Sequence, residues 1–136
     1  MATAEQFDIE NLNKGAYNVG RLNREIITIL NLNLNETDIL FSKDKIEYTK
    51  KHEIDYNNYE DYKKFTELTP EIIADPDYIA VHPSGQSLEY IKIIDEIMVV
   101  AVRIKSKGVL WVKTVFPISQ DKFRIYINSG TLKKCK

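Results

Sequence analysis

Two histidines are the residues best suited to proton transfer. His52 occurs in the polar run KKHEID, where a helix is expected to end. Imidazole titrates near neutral pH, as a general acid or base must. His52 could instead be a helix C-terminal residue on a solvated face, stabilised by the helix dipole, and the sequence alone favours that interpretation. His82 precedes a proline in the turn-rich run HPSGQS and is interpreted as a turn residue.

A lysine and a threonine lie side by side in the apolar run VLWVKTVFPIS, which predicts a strand. Neighbours in a regular strand point to opposite faces, so we expect Thr114 to share a face with Val112 and Phe116. An unpaired buried amine is costly, so Lys113 lies at a sheet end, pairs with an acid or faces a ligand. Thr114 could simply reflect the strand propensity of threonine.

These residues belong to the most cationic part of the chain. Residues 91–136 contain ten Lys or Arg and three Asp or Glu, whereas residues 51–90 contain three and nine, respectively. Lys92 and Arg103 lie in the two preceding predicted strands, and Arg103 is either a phosphate-binding guanidinium or a solvated strand end. The net charge of −1 therefore hides a cationic end that would attract phosphates or an acidic partner protein.

The composition argues against several classes of function. One cysteine in 136 residues cannot form an internal disulfide, and one Cys with two His argues against a four-ligand zinc site. Glycine-rich phosphate loops, HExxH, calcium-loop and GxSxG motifs are absent, so we expect no metal and no cofactor. The longest apolar run, Ile97–Val102, is too short to span a membrane, and the acidic N-terminus is no signal peptide. A protein of the cytoplasm, either of the producing cell or of a target or host cell, is expected.

The apolar pattern predicts a flexible N-terminal arm, residues 1–18, and a single α+β domain, residues 19–136. Helices are predicted over 19–31, over 43–53 with Ser42 as N-cap, from Asn57 or Asn58 to Leu68, and from the cap Thr69 and Pro70 to Asp75. Strands follow in DYIAV, LEYIKII, IMVVAVRIK, VLWVKTVF (after an SKG turn) and FRIYI. The short connections predict an antiparallel meander of four to five strands, with the N-terminal helices packed on one face.

The order of these segments resembles the phage-type nuclease-like domains of the barnase–EndoU–colicin–RelE superfamily. The run LNREIITILNLNLNETDILFSKDKIEYTKKH is similar to the start of such domains, with a short helix and then a helix that ends in histidine. IIADPDYIAV is similar to their helix stop and first strand. LEYIKIIDEIMVVAVRI and VLWVKTVFPIS resemble the paired central strands, the second with a Thr-x-aromatic motif, and TLKK fits the end of the domain. The resemblance covers roughly residues 20–134.

This resemblance implies a metal-independent ribonuclease domain of the toxin or effector type. In that chemistry the ribose 2′-OH attacks the neighbouring phosphate and leaves a 2′,3′-cyclic phosphate. Catalysis would involve His52 as acid or base, Thr114 as the hydroxyl that positions the phosphate, and Arg103, Lys92 or Lys113 as the cation. Substrate contacts would come from Lys113, Phe116, Ser119 and Ser42.

Phe116 departs from the family pattern, because many members carry tyrosine two residues after the threonine. Phenylalanine retains stacking and lacks the hydroxyl. The expected function is cleavage of RNA, with tRNA or another structured RNA as substrate and an immunity or antitoxin protein as a further partner. The alternative is a catalytically silent phage or mobile-element protein that sequesters a host protein or RNA. A structural domain of a larger phage or mobile-element assembly is a third interpretation.

Overall fold

Helices and strands are interleaved along the chain. A computed structural model describes residues 4–105 and 107–135. The strands are β1 (Ala16–Leu22), β2 (Thr37–Ser42), β3 (Tyr78–Val81), β4 (Ser87–Ile93), β5 (Ile97–Arg103), β6 (Leu110–Ile118) and β7 (Lys133–Lys134). The helices are α1 (Arg24–Leu30), α2 (Lys43–Tyr48), α3 (Tyr59–Glu67), α4 (Thr69–Ala74) and α5 (Gln120–Asn128), and a 3₁₀ segment (Thr49–Asp55) continues α2. Residues 1–3 of the predicted arm, Ser106 of the predicted SKG turn and Lys136 lie outside the described residues.

The strands form a single sheet in the order β1-β2-β6-β5-β4-β3-β7. Strands β3 to β6 pair antiparallel with their neighbours in sequence, as in the predicted meander. Strand β2 runs parallel to β6, pairing Ile39 with Leu110 and Leu40 with Trp111. Because this ladder is so short, the second half of β6 is bordered by the 3₁₀ segment. The mixed α+β class is confirmed, but the described sheet has seven strands rather than four or five.

Helices α1 to α4 cover one face of the sheet. Alternate residues of β5, namely Met98, Val100 and Val102, are fully buried there, as the period of two in a strand requires. The helices contribute the other half of this main core through Ile26, Ile27, Phe65, Ile72 and Ile73. Through these residues α1, α3 and α4 pack against this face of the sheet.

Helix α5 packs on the opposite face, so the prediction that helices lie on one face only is wrong. Ile91 and Val99 form a second, smaller cluster against Phe123 and Tyr126 of α5. The run FRIYI, predicted as a strand, lies in this helix, and the Ser119 hydroxyl caps the helix by accepting a hydrogen bond from the Lys122 N–H (3.1 Å). Phe123 and Tyr126 are three residues apart, so both reach the sheet.

Strands β1 and β2 are not predicted by the apolar pattern. The predicted helix over 19–31 is wrong in its first half, since β1 ends at Leu22 and α1 begins after Asn23. Pairing shifts register between Asn18 and Gly20, which inserts Val19. Because of this bulge, Val19 and Leu22 are both buried although they are three positions apart in sequence. Buried residues at that spacing are typical of a helix.

The described part of the predicted arm, residues 4–18, is packed onto the domain. Phe7 is buried, with its ring centroid 5.8 Å from that of Tyr17 and 5.6 Å from that of Phe41. The Nζ atom of Lys63 lies 3.0 Å from Oδ1 of Asp8, so an ion pair also ties this segment to α3. The predicted boundary between residues 18 and 19 falls inside β1.

The helix caps at Ser42 and Asn58 are confirmed. Ser42 Oγ accepts from the Lys45 N–H (3.2 Å), and Asn58 Oδ1 accepts from the Asp61 N–H (2.8 Å). Thr69, predicted as a cap, is instead the first residue of α4, and its hydroxyl donates to a carbonyl in α3 (2.7 Å). Ser42 and Asn58 thus set the first residues of α2 and α3. The start of α2 in turn determines where the 3₁₀ segment that continues it lies.

Candidate active site

A β-bulge in β6 decides which residues face α5. Ala101 and Val102 of β5 pair with Thr114 and Val112, so Lys113 is an extra residue between them. An inserted residue reverses the alternation of the strand beyond it. Thr114 therefore faces α5, whereas Val112 faces the main core, and the prediction that they share a face is wrong.

His52 and Thr114 line one cleft of about 700 Å³. The 3₁₀ segment carries His52 on one side, and the second half of β6 and the start of α5 form the other side. Phe116, Ser119 and Lys122 line the same cleft. Residues 62 positions apart in sequence are thus brought together by the packing of the 3₁₀ segment on β6.

His52 is oriented by two neighbours. Its Nδ1 lies 3.2 Å from Asp55 Oδ2, and its ring centroid is 5.5 Å from that of Phe116. If Nδ1–H donates to Asp55, Nε2 accepts a proton in the neutral imidazole and donates one in the imidazolium. Within the described residues, Nε2 is buried and has no hydrogen-bond partner. A buried polar atom without a partner costs free energy. Nε2 is therefore the atom of His52 to which a ligand would supply the missing hydrogen bond.

Thr114 supplies a second buried polar atom in the same cleft. Its Oγ1 has no hydrogen-bond partner within the described part of the chain. Lys122 lies nearby, with its Nζ 5.9 Å from the centroid of the Phe116 ring. A hydroxyl donor and an ammonium group on one wall suit a phosphate, whose oxygens accept hydrogen bonds and carry negative charge.

Glu89 of β4 is a further candidate that the apolar pattern does not reveal. Glu89 and Thr114 both pair with Ala101 of the strand between them, so the three lie in one cross-strand row. The side chain is almost fully buried, at 5% exposure. Its sequence signal is an acid inside the apolar run LEYIKII, on a face that becomes buried only because α5 covers it.

The surroundings of Glu89 alter its acidity. Burial raises the pKa of the Glu89 carboxyl above its usual value, and the nearby His82, Lys122 and Lys113 act in the opposite direction. A cavity of about 210 Å³ is lined by Glu89, His82, Thr114 and Lys122. Because Thr114 and Lys122 also line the His52 cleft, the two cavities adjoin, and a carboxyl and an imidazole flank one threonine.

The structure does not bring Lys92 to this cleft. Lys92 pairs with Met98 in register and therefore lies on the face covered by α1 to α4. Its Nζ donates to the Asp75 carbonyl (2.8 Å) and lies 3.1 Å from the Asp75 carboxylate. Its position indicates a structural contact between β4 and the end of α4.

The remaining predicted residues divide between two places. Ser119 lies in the His52 cleft, where its hydroxyl caps α5. Arg103, Lys113 and Ser42 line a separate cavity of about 160 Å³, together with Trp111. Arg103 and Lys113 are exposed.

The part of the chain that the structure describes contains neither a cluster of metal ligands nor a membrane-spanning helix. No three side chains among its His, Cys, Asp and Glu residues are placed to hold one metal ion. No helix in residues 4–105 and 107–135 is long and apolar enough to cross a membrane.

The described residues form a mixed α+β fold in which an imidazole and a strand hydroxyl line one cleft. The family model described as phage-Barnase-EndoU-ColicinE5/D-RelE like nuclease3 matches residues 17–124, and the chain belongs to this family. The resemblance seen in the sequence is confirmed, and it assigns a nuclease-type function and a nucleic-acid substrate in general terms. No curated protein and no solved structure matches the chain.

Proposed function

We propose that the chain is a metal-independent endoribonuclease of the toxin or effector type. One observation carries the proposal: His52 Nε2 and Thr114 Oγ1, both buried and without a partner among the described residues, line one cleft. The proposed substrate is RNA, and tRNA or another structured RNA is the first substrate to test. The products are a 2′,3′-cyclic phosphate and a free 5′-hydroxyl.

The proposed reaction needs two proton transfers and one site for negative charge. The ribose 2′-oxygen forms a bond to phosphorus while the bond from phosphorus to the 5′-oxygen breaks. Glu89 takes the proton from the 2′-OH, and protonated His52, held by Asp55, gives a proton to the 5′-oxygen. Thr114 and Lys122, which line both cavities, stabilise the charge on the phosphoryl oxygens.

Cleavage of purified RNA in EDTA tests this proposal. We expect tRNA or total RNA to be cut, with 2′,3′-cyclic phosphate ends detected by mass spectrometry. His52→Ala should lower the rate by about 10²- to 10⁴-fold while leaving the melting temperature nearly unchanged, because general acid–base catalysis contributes that range. Absence of cleavage in EDTA, or equal rates for both proteins, would refute it.

Expression in a bacterial cell tests the toxin type. Growth arrest that disappears with His52→Ala would support it, since only cleavage is removed. A neighbouring gene product that restores growth would be the proposed immunity or antitoxin partner. Normal growth at high expression of an enzyme that cleaves RNA in vitro would contradict the toxin type alone.

A second candidate function is a catalytically silent protein that sequesters a host protein or RNA. Phe116 favours it, because it stands where many family members carry tyrosine, and its ring packs against His52. A chain that cuts no RNA and co-purifies with one stable partner, in equal amounts for wild type and His52→Ala, would establish this alternative.

A further inference from the structure

We propose that Trp111, Lys45, Arg103 and Lys113 form a binding subsite for one nucleotide of single-stranded RNA, at a distance from the cleaved bond. The inference rests on the proposed function and extends it to the form of the substrate. These four residues, with Ser42, line the cavity of about 160 Å³ between the start of α2 and β6. Trp111 and Arg103 are cross-strand partners, so they lie on the same face of the sheet.

The cations of this subsite are available to a ligand. Within the described residues, Lys45, Arg103 and Lys113 take part in no ion pair, unlike Arg21, whose Nη1 lies 2.9 Å from Asp38. An indole beside several cations is the arrangement that proteins use for single-stranded nucleic acid, because a base stacks on the ring and its phosphate meets the charges. An acidic protein would use the cations but has no need of the indole.

Tyr48 extends this surface toward the active site. Tyr48 is half exposed, and Lys51 Nζ donates to its hydroxyl (2.6 Å) while Lys45 Nζ lies 5.3 Å from its ring centroid. The hydrogen bond from Lys51, followed by the charges of Lys51, Lys45 and Lys113, lowers the pKa of the Tyr48 phenol. Lys51 lines the His52 cleft, so cationic groups continue from that cleft to Trp111.

Lys113, the bulge residue of β6, also connects the Trp111 subsite with the active site. Lys113 lines both the Trp111 cavity and the Glu89 cavity. Trp111 and Thr114 pair with Arg103 and Ala101, which are two residues apart on β5, so Trp111 lies about 7 Å along the sheet from Thr114 at the rise of a strand. That distance is about two stacked nucleotide steps of roughly 3.4 Å each. A dinucleotide centred on Thr114 spans one such step and occupies only the active site, whereas a hexanucleotide would also reach Trp111.

Trp111 is the single tryptophan of the chain, so its fluorescence reports this subsite directly. The probes are 2′-O-methyl di- and hexanucleotides, which lack the attacking hydroxyl and remain intact. We expect the hexanucleotide to quench Trp111 and to bind at least about tenfold more tightly than the dinucleotide, because stacking of one base contributes about 1–3 kcal/mol.

Three variants, measured by anisotropy of labelled oligonucleotides, complete the test. Trp111→Leu should weaken hexanucleotide binding about tenfold or more and leave dinucleotide binding unchanged. Lys45→Ala should lower the salt dependence of hexanucleotide binding by about 0.7 in the log–log slope. Arg21→Ala removes a paired cation from the distant strand β1. It should change neither the affinity for the hexanucleotide nor the salt dependence of its binding.

Equal affinity for the two oligonucleotides, or an unchanged hexanucleotide affinity in Trp111→Leu, would overturn the subsite. Quenching by an acidic polypeptide but not by the hexanucleotide would also overturn it and assign the surface to a protein. Length-dependent quenching by a wild-type protein that cuts no RNA would support the subsite while refuting the proposed catalysis.

Discussion

Replacement of Thr114 by valine should raise stability and lower activity at the same time. Valine keeps the shape of the side chain and its preference for strands, and it removes only the hydroxyl. Thr114 Oγ1 is buried and has no partner among the described residues, so the folded protein leaves it unsolvated while the unfolded chain hydrates it. Removing such a group should increase the free energy of unfolding by about 1 kcal/mol.

The matched control is Thr69→Val. Thr69 is fully buried, and its hydroxyl donates to the Thr66 carbonyl at 2.7 Å. Losing this hydrogen bond should lower the free energy of unfolding by about 1 kcal/mol. For a chain of this length, the two variants should shift the melting temperature by about 3 °C in opposite directions. Differential scanning calorimetry at one pH measures both.

The same variants should separate by activity. If Thr114 donates a hydrogen bond to the phosphate in the transition state, Thr114→Val should lower kcat by about 10²- to 10³-fold, the usual effect of removing one such donor. Thr69→Val should leave kcat unchanged. A fall in melting temperature for Thr114→Val would show that the hydroxyl has a partner in the folded protein. Unchanged kcat would show that it does not contact the phosphate.

Three further predictions concern Glu89, Gly20 and Asn58. Because burial raises the pKa of Glu89, the folded protein holds a proton that the unfolded chain releases, so its stability falls as pH rises from the usual carboxyl pKa through the raised one. Glu89→Gln should remove this loss of stability. The melting temperature of the variant, measured between pH 4 and 8, should exceed that of the wild type by an amount that grows with pH. A difference in melting temperature that stays constant over this range would contradict the prediction. Gly20→Ala should cost about 2 kcal/mol in urea unfolding, since an added Cβ would lie 2.6 Å from Ile73 Cγ2, and an unchanged midpoint would contradict the packing. Asn58→Ala should cost about 1 kcal/mol by the same assay through loss of the cap of α3, and no measurable change would show that this cap is dispensable.

The parts of the fold that local sequence determines were predictable. Ser42 and Asn58 precede helices because their side chains accept the free N–H groups of the first turn. The central strands follow from long apolar runs such as that in β5. These signals are local, so they do not depend on which elements pack together.

The errors arose where a distant contact decides the structure. The run FRIYI suits a strand or a helix equally, and its packing on Ile91 and Val99 makes it helical. Val19 is inserted in β1 by its pairing with β2, and this insertion imitates a helical spacing. A pairing partner cannot be read from the residues of one strand alone.

The candidate site was predictable in part for the same reason. The family resemblance predicts His52 and Thr114 as site residues, and the structure places both in one cleft. Glu89 was missed because its row with Thr114 exists only after β5 aligns the two strands. Lys92 was included because a strand pattern does not say which face a helix will cover, and its face lies against α4.

The parallel pairing of β2 with β6 has a consequence for how the chain reaches its working state. About 70 residues separate Leu40 from Trp111, so this contact closes a long loop and carries a large entropic cost before it contributes any stability. Contacts of such high sequence separation slow folding, and we expect this one to form late. His52 follows β2 and Thr114 lies in β6, so the two walls of the cleft meet only when that late step is complete. An emerging or partly unfolded chain would hold both residues and yet no cleft, and its chemistry would begin only with the finished domain.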